Sequence, residues 1–430
     1  MGTHRIAIVG AGTTGLAAAG FLSMAGHEVT VIERFADARP LGAGLLIQPT
    51  GLAILARLGI DQKLIALSAP IRRLDGRTHK GQVIFDLNYG LLGPHLFGLG
   101  VHRASLFQVL FDHAVAVGAR IVTDCEITVA RAHGDGTVSV GGPRGELGPF
   151  DLIIDASGRH SQLADTHADI AVNRPYPYGA LWGVCRDPGQ AFAGDGLQQR
   201  YDGAHVMIGT LAIGRRPGAD DHHMAFFWSL ARRDVDACRA AGIEAWRERV
   251  IGYWPAMAPF VAQFDSFDDL AWAEYGHKAL RSRVKGRLVF AGDAAHAMSP
   301  QLGQGANLGL IDAYVLAEAI SSERDLDAAL AHYQKARRGH LGFYHHASQW
   351  MTPFFQSDSR LAAFVRDLAF APMCYTPWLR VEMMRTLAGM KTGLFSHFDP
   401  GQWSEAYRVK AARLKVGRLK VGDPSGRRPT

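Results

Sequence analysis

RIAIVGAGTTGLAAAGFLSMAGHEVTVIER, residues 5–34, is the stretch whose reading decides the fold. RIAIVGAG (5–12) is a short apolar run, rich in β-branched residues, that ends in glycines; it reads as a buried parallel strand. TTGLAAAGFLSMAG (13–26) has helical spacing and stops at Gly26, a helix C-cap residue. HEVTVIER (27–34) is a second strand. Together they form a βαβ unit of about 30 residues, the shape of a dinucleotide site. Its turn is Gly10-Ala11-Gly12-Thr13-Thr14-Gly15, with Glu33 and Arg34 closing the second strand. Gly10 permits the tight turn, Gly12 lets backbone approach a pyrophosphate, and Gly15 lets helix and strand pack closely. The helix start offers free N–H groups to phosphate, and Glu33 can accept both hydroxyls of an adenosine ribose. That carboxylate disfavours a 2′-phosphate, so the turn suits FAD or NAD better than NADP.

A second glycine-rich stretch, LVFAGDAAHAMSPQLGQGANLGLIDA (288–313), separates FAD from NAD. Asp293 falls just past a strand, where a carboxylate can bind a ribityl hydroxyl. Gly303 and Gly305 let backbone lie against a flat ligand. A helix from about Ala306 aims its N-terminus at that ligand and stabilises negative charge on the pyrimidine side of a reduced flavin. A nicotinamide dehydrogenase has no use for such an element there. A buried helix with a glycine-rich entry explains ANLGLIDAYVLAEAI but not the Asp, the Pro and the paired glycines together.

The rest of the chain frames these motifs. At 430 residues, 48% of them hydrophobic, the chain is long enough for two lobes or one elaborated domain. No run of 18 apolar residues occurs, so no membrane-spanning helix is expected. The opening runs straight into a strand pattern and leaves no room for a signal peptide. Cys125, Cys185, Cys238 and Cys374 form no CxxC pair, which fits free thiols in a reducing cytoplasm and neither disulfides nor zinc. The net charge of +6 is uneven: residues 401–430 hold eight Lys/Arg and two Asp/Glu, and the other 400 residues hold 38 of each sign. The tail reads as a solvated end, with a membrane-surface contact as the sharper alternative because Leu and Val alternate with its charges. It lacks the interleaved aromatics of a single-strand nucleic-acid site.

Residues 45–67 read as helical, 71–98 as strands and turns, and 103–118 as a helix. Residues 170–230 read as a mostly antiparallel sheet and 326–395 as helices. The expected fold class is therefore α/β: a Rossmann-like nucleotide-binding domain from residues 1–75, 100–168 and 278–330, with an inserted, mostly antiparallel β-sheet domain from 76–99 and 169–277. A helical C-terminal part (331–400) and the basic tail (401–430) follow. Ser282–Lys285 (SxxK) and Lys391–Gly393 (KTG) mimic a serine acyl-enzyme signature, but Ser282 precedes a strand and does not open a helix. The pairs His222-His223 and His345-His346 lack metal-ligand spacing, and no metal site is expected.

GDAAHAMSPQLGQGAN (292–307) resembles the second FAD-binding motif of the single-component flavoprotein monooxygenases, the family of para-hydroxybenzoate hydroxylase, salicylate hydroxylase and the ubiquinone-ring hydroxylases. LGAGLLIQPTGLAILARLGI (41–60), VHRASLFQVL (101–110) and FDLIIDASGRHSQLA (150–164) are similar to further segments of that family. The resemblance covers roughly residues 5–395. It implies a para-hydroxybenzoate hydroxylase-like fold, non-covalent FAD, NADH or NADPH as co-substrate, O2, and a small aromatic or phenolic substrate hydroxylated through a flavin hydroperoxide. It implies that Gly10, Gly12, Thr13, Thr14, Gly15, Glu33 and Arg34 hold the adenosine diphosphate half, with Arg103 near the flavin and pyrophosphate. Gly292 and Asp293 would hold the ribityl chain, Gly303, Gln304, Gly305, Ala306 and Asn307 the ring, and Pro300 would stand near the oxygen-reacting face. The third motif, which in that family serves both FAD and NAD(P)H, implies Asp155 as a further cofactor-binding residue; its usual Ala-Asp-Gly becomes Asp155-Ala156-Ser157-Gly158, which leaves the register of Asp155 open. The middle sheet would carry the substrate, with Tyr176, Tyr178, Trp182, Tyr201, His205, Met207, Phe226 and Trp228 as pocket candidates. No catalytic acid or base is identified, and monomer and homodimer stay open. Other flavoenzymes on the same fold (a halogenase, an isoprenoid reductase, a non-aromatic hydroxylase) and a non-catalytic redox sensor are the alternatives.

Overall fold

The computed structural model describes residues 2–37, 43–188, 192 and 194–401. The basic tail from residue 402 lies outside the described residues, as do Leu41 and Gly42 of the motif segment 41–60. The opening βαβ unit forms as its pattern requires: strands Arg5–Val9 and Glu28–Ile32 pair in parallel, and helix Thr13–Met24 crosses between them. They sit in a six-stranded sheet that also takes Arg120–Val122 on one side and Leu152–Asp155, Leu288–Phe290 and the short antiparallel Val284–Lys285 on the other. Both faces of this sheet are covered, so its strands are apolar on both sides. Ile6 and Ile8 pack into the core of helices Thr13–Met24, Arg103–Ala116 and Gly305–Ser322, while Ala7 and Val9 pack on the opposite face against Val138, Val140 and Leu163.

A second sheet has seven strands, in the order Ala271–Leu280, Ile170–Arg186, His223–Ala231, Val206–Gly214, Gly196–Asp202, Arg73–Thr78 and Val83–Asn88. Every neighbouring pair is antiparallel except Gly196–Asp202 with Arg73–Thr78. Strands Val206–Gly214 and His223–Ala231 are buried along their whole length, because helices cover both faces. Helix Gly242–Tyr253 backs one face through Trp246, and helices Leu326–Phe355 and Arg360–Tyr375 close the other through Phe355 and Phe370.

The helix expected over 45–67 is replaced by three elements. Gly44–Ile47 is a strand paired with Gly98–His102; Pro49–Leu58 is a helix opened by proline and closed by Gly59 at φ +74°; Asp61–Ile65 is a separate short helix. Pairing with a strand fifty residues away overrides the local helical spacing. Strand Arg73–Thr78 spans the expected boundary at 75/76, and strand Ala271–Leu280 spans the one at 277/278. The two long strands Ile170–Arg186 and Ala271–Leu280 pair from Ile170↔Leu280 to Trp182↔Ala271 and carry the chain from one sheet to the other.

Candidate active site

Three strand ends set the geometry. Val9 lies opposite Asp155, and Asp155 opposite Phe290, so the loops after them leave the sheet at one level and side by side. In an open α/β sheet the crevice beyond these carboxyl ends is where ligands bind. The three sequence motifs, far apart in the chain, are those three loops, and they interlock. Gly10 has φ +102°, and a Cβ there would lie 2.7 Å from Ala156 O. Thr14 fills the space between the other two partners: a Cβ on Gly292 would meet its Oγ1 at 2.5 Å, and one on Gly309 at 2.1 Å.

The first loop is shaped for a pyrophosphate. A Cβ on Gly12 would meet nothing within 4 Å, so that side of the loop is open. Helix Thr13–Met24 has no side-chain cap and no acidic residue in its first turn. Its leading amides have no intrahelical acceptor, so they can face an anion. Glu33 is held beside the loop, accepting from Ala11 N at 2.8 Å and Phe35 N at 3.1 Å. Arg34 is exposed at the same strand end, with its guanidinium 4.6 Å from the Phe35 ring.

The second motif bends at Gly292 (φ +59°), whose N–H donates to Asp312 Oδ2 at 2.9 Å. Asp312, on helix Gly305–Ser322, also bonds His296 Nε2 at 2.5 Å and accepts from Arg337 Nε at 2.7 Å. All three side chains are buried. Burial opposes the Asp312 charge, but His296 and Arg337 together hold its carboxyl well below the usual range. The network ties the strand end, the helix and helix Leu326–Phe355 into one unit, and the sequence reading missed it. Asp312 and His296 lie within the quoted motif but carry no separate pattern; Arg337 is one arginine among many until helices pack. Asp293 stays exposed toward the cleft, 3.7 Å from where a Gly305 Cβ would stand. Pro300 opens a 3₁₀ turn to Leu302 that Gly303 closes at φ +60°, and Ser299 anchors it to Ser348 and Thr352, both at 2.8 Å. Asn307 accepts from Gln48 N at 2.8 Å and donates to Leu46 O and Gly303 O, so it pins the glycine turn to strand Gly44–Ile47. Gln304 donates to Leu387 O at 2.7 Å while its Oε1 is buried without a hydrogen-bond partner. Helix Gly305–Ser322, with Ala306 in its first turn, again starts with no side-chain cap and no acidic residue.

In the third loop Asp155 is fully buried and turned onto its own turn. It accepts from Ser157 N at 3.0 Å, Ser157 Oγ at 2.6 Å and Ser161 Oγ. Burial raises its pKa against those bonds. Its carboxylate is thus committed to shaping the loop that walls Gly10.

Across the cleft stands the second sheet. Arg103 keeps exposed surface but is surrounded deep in the crevice, so desolvation lowers its pKa while Tyr275 and Asp293 oppose that shift. Tyr275 Oη accepts from Trp182 Nε1 at 2.8 Å, and burial pushes its hydroxyl up to about 12, against the Trp182 bond and Arg103. Tyr275 therefore holds its proton at neutral pH and can donate it in a hydrogen bond. No periodicity marked it; only pairing of its strand with Ile170–Arg186 brings it to Trp182. The pocket candidates divide by strand face. Tyr201 and Met207 join Phe227 on the face toward helix Arg360–Tyr375, with Trp182 packed against them. Phe226 and Trp228 lie on the opposite face with Trp246. Tyr176 and Tyr178 are tied by their hydroxyls to Gln356 O at 3.0 Å and Asp358 at 2.7 Å. His205 is exposed in the turn between two strands, beside Asp202.

These features fit a bound FAD: an open glycine loop, two uncapped helix starts, and a carboxylate and a guanidinium across one crevice. The family model described as FAD binding domain matches residues 3–172 and 247–341. The chain belongs to that family. FAD is its cofactor, and its relatives are FAD-dependent monooxygenases. An FAD-dependent urate hydroxylase of Klebsiella pneumoniae is 27% identical over 345 residues, which cover 77% of this chain and 85% of the relative. A 3-amino-4-hydroxybenzoate 2-monooxygenase of Streptomyces cremeus is 27% identical over 334 residues, covering 73% and 77%. Among solved structures, HpxO of Klebsiella pneumoniae, complexed with FAD and uric acid, superposes with a TM-score of 0.75 at 20% identity, over 91% of this chain and 98% of that one. That likeness establishes the fold.

Proposed function

We propose that this chain hydroxylates a small, electron-rich aromatic or heteroaromatic substrate, using NADH or NADPH and O2. The observation that carries the reading is the meeting of two glycine-rich loops and the Asp155–Gly158 loop at one crevice, with Arg103 on the nucleotide-binding side and Tyr275 and Trp182 on the second sheet. When bound, FAD would supply the redox chemistry, hydride acceptance from NAD(P)H and activation of O2 for transfer of one oxygen atom. The chain's own residues bind, orient and exclude water. The amides of Gly12 to Gly15 take the pyrophosphate, and Glu33 the ribose hydroxyls. Asp293 would hold a ribityl hydroxyl, and the uncapped start of helix Gly305–Ser322 would stabilise negative charge on the flavin. Tyr275 donates to an acceptor atom of the substrate, held in aim by Trp182, and the Arg103 charge favours an anionic or phenolate-like form.

For the co-substrate we place the pyrophosphate of NAD(P)H near Arg159, in the third loop. Its guanidinium fills the space over Gly276, and its Nε and Nη1 are buried without hydrogen-bond partners. Arg174 and His277 lie close enough for Arg174 and Arg159 to add to the burial that lowers the His277 pKa. The four cysteines are buried free thiols, in keeping with a reducing cytoplasm.

The test is NADH and NADPH oxidation by the FAD-loaded protein with phenols, hydroxybenzoates, anthranilates and heteroaromatics, with products read by mass. One class should accelerate oxidation and gain a single oxygen atom. Tyr275→Phe should then lower kcat/KM about tenfold, as expected for one lost hydrogen bond of about 1–2 kcal/mol, with FAD retained. If no compound both speeds oxidation and gains oxygen, the hydroxylase reading falls. An unchanged kcat/KM in Tyr275→Phe removes Tyr275 from it.

A further inference from the structure

Helix Arg360–Tyr375 is apolar on both sides. Its inner face puts Phe370 into the cluster of Tyr201, Met207 and Phe227 on the second sheet. Its outer face carries Leu361, Phe364, Val365 and Leu368, spaced i, i+3, i+4, i+7, and these are 40–72% exposed. The stripe runs on through Tyr375 and Trp378 into helix Pro377–Leu387, both more than 60% exposed. At about 150–250 Å² for an aromatic side chain, Phe364, Tyr375 and Trp378 alone present roughly 300–500 Å². An exposed apolar patch of that size on a soluble body marks an interaction surface.

Charge decides the partner. Of the exposed residues between 360 and 378, Arg360 is the one that carries a charge. The acids beside the stripe are already paired: Asp358 with Arg233 through two bonds of 2.8 Å, and Asp367 with the buried Arg366 at 2.8 and 2.6 Å. After Gly401 the chain continues for 29 residues with eight Lys/Arg against two Asp/Glu. Each copy carries a net charge of +6, so a second copy would bring like charge on like. Apolar residues with flanking aromatics and cations fit an anionic lipid surface. Among the described residues no helix is long and apolar enough to cross a membrane, so the contact would lie in the interface plane.

We propose that the outward face of residues 361–378 docks on an anionic lipid bilayer, with the basic tail adding electrostatic attraction. Docking does not depend on the hydroxylase reading. Its use does: a lipid-soluble substrate would then stand one helix away from the Tyr201–Met207–Phe227 face of the sheet.

The experiment is flotation of the full, FAD-loaded chain with vesicles of phosphatidylcholine alone and with about a third phosphatidylglycerol. The chain should float with the anionic vesicles, and Leu361→Glu/Phe364→Glu should weaken that binding at least tenfold with the flavin spectrum and thermal midpoint unchanged. A chain ending at Gly401 should keep a weaker affinity that the same double substitution abolishes. Any of four results overturns the proposal. The first is a native chain that does not float, and the second a double variant that floats as well as native. The third is a truncated chain that floats better, which would mean that the tail covers the stripe. The fourth is a dimer, seen by light scattering, that the double substitution splits, which would give the stripe to a second copy.

Discussion

At the scale of single residues, Asp312 matters most and was least visible. Its carboxylate serves the Gly292 amide, His296 and Arg337 at once, in a site closed to water. Replacing one member of a buried ionic group leaves the others buried and unpaired, which costs about 3–5 kcal/mol. Asp312→Ala should therefore lower the unfolding free energy of the FAD-loaded protein, read from urea unfolding, by that amount and weaken FAD retention, since Gly292 loses its anchor. A loss within about 1 kcal/mol would mean that water or repacking replaces the carboxylate. The sequence pointed to Asp293, the exposed acid of the same motif, because a carboxylate after a strand is a recognisable ligand for hydroxyls. It could not single out Asp312, since a helical Asp becomes an ion-pair centre only once Arg337 arrives from another helix.

At the scale of elements, the contact of helices Thr13–Met24 and Gly305–Ser322 joins the first and second motifs. Both Gly292 and Gly309 give way to Thr14, so the two loops approach at backbone distance. Gly309→Ala should push the helices apart, at an overpacking cost of about 1–3 kcal/mol, and lower FAD affinity. Thr14→Ala removes the Oγ1 that the new methyl meets. The double variant should therefore recover a substantial part of the stability lost by Gly309→Ala. Additive losses in this double-mutant cycle would show that the contact is not the cause. The glycines of both motifs were legible in the sequence. That some of them serve each other's loops as well as the ligand was not, because Thr14 lies 278 residues before Gly292 and 295 before Gly309.

At the scale of the whole molecule, burial of histidines sets the pH response. Burial lowers His102 to about 4, with Arg216 and His223 adding to it, and His340 to about 3, with Arg337 adding to it. Both accept hydrogen bonds as neutral rings: His102 caps helix Arg103–Ala116 through the Ala104 amide, and His340 accepts from Arg337. In the unfolded chain each titrates near 6.5. Below that pH the unfolded state takes up protons that the folded state refuses, so stability is full above about 6.5 and falls as pH drops toward 4. The slope for one such group approaches about 1.4 kcal/mol per pH unit. The thermal midpoint should fall steadily from pH 7 to 5, and His102→Asn, which keeps a cap without titrating, should flatten that fall. A midpoint indifferent to pH over this range would contradict the burial of these rings.

The sequence by itself determined the βαβ start, both glycine-rich loops, the mostly antiparallel second sheet and the helical end. These rest on periodicities of two and 3.6 residues and on glycine at turns, and local sterics enforce both. The tertiary structure decided the rest: the strand at Gly44–Ile47, the alignment of Val9, Asp155 and Phe290, the inward turn of Asp155, and the Asp312 network. It alone set Tyr275 against Trp182 and Arg103, split the aromatic candidates between two faces, and left the apolar stripe of helix Arg360–Tyr375 facing out. Each of these depends on which residues meet across long stretches of chain, and a local pattern carries no record of that meeting.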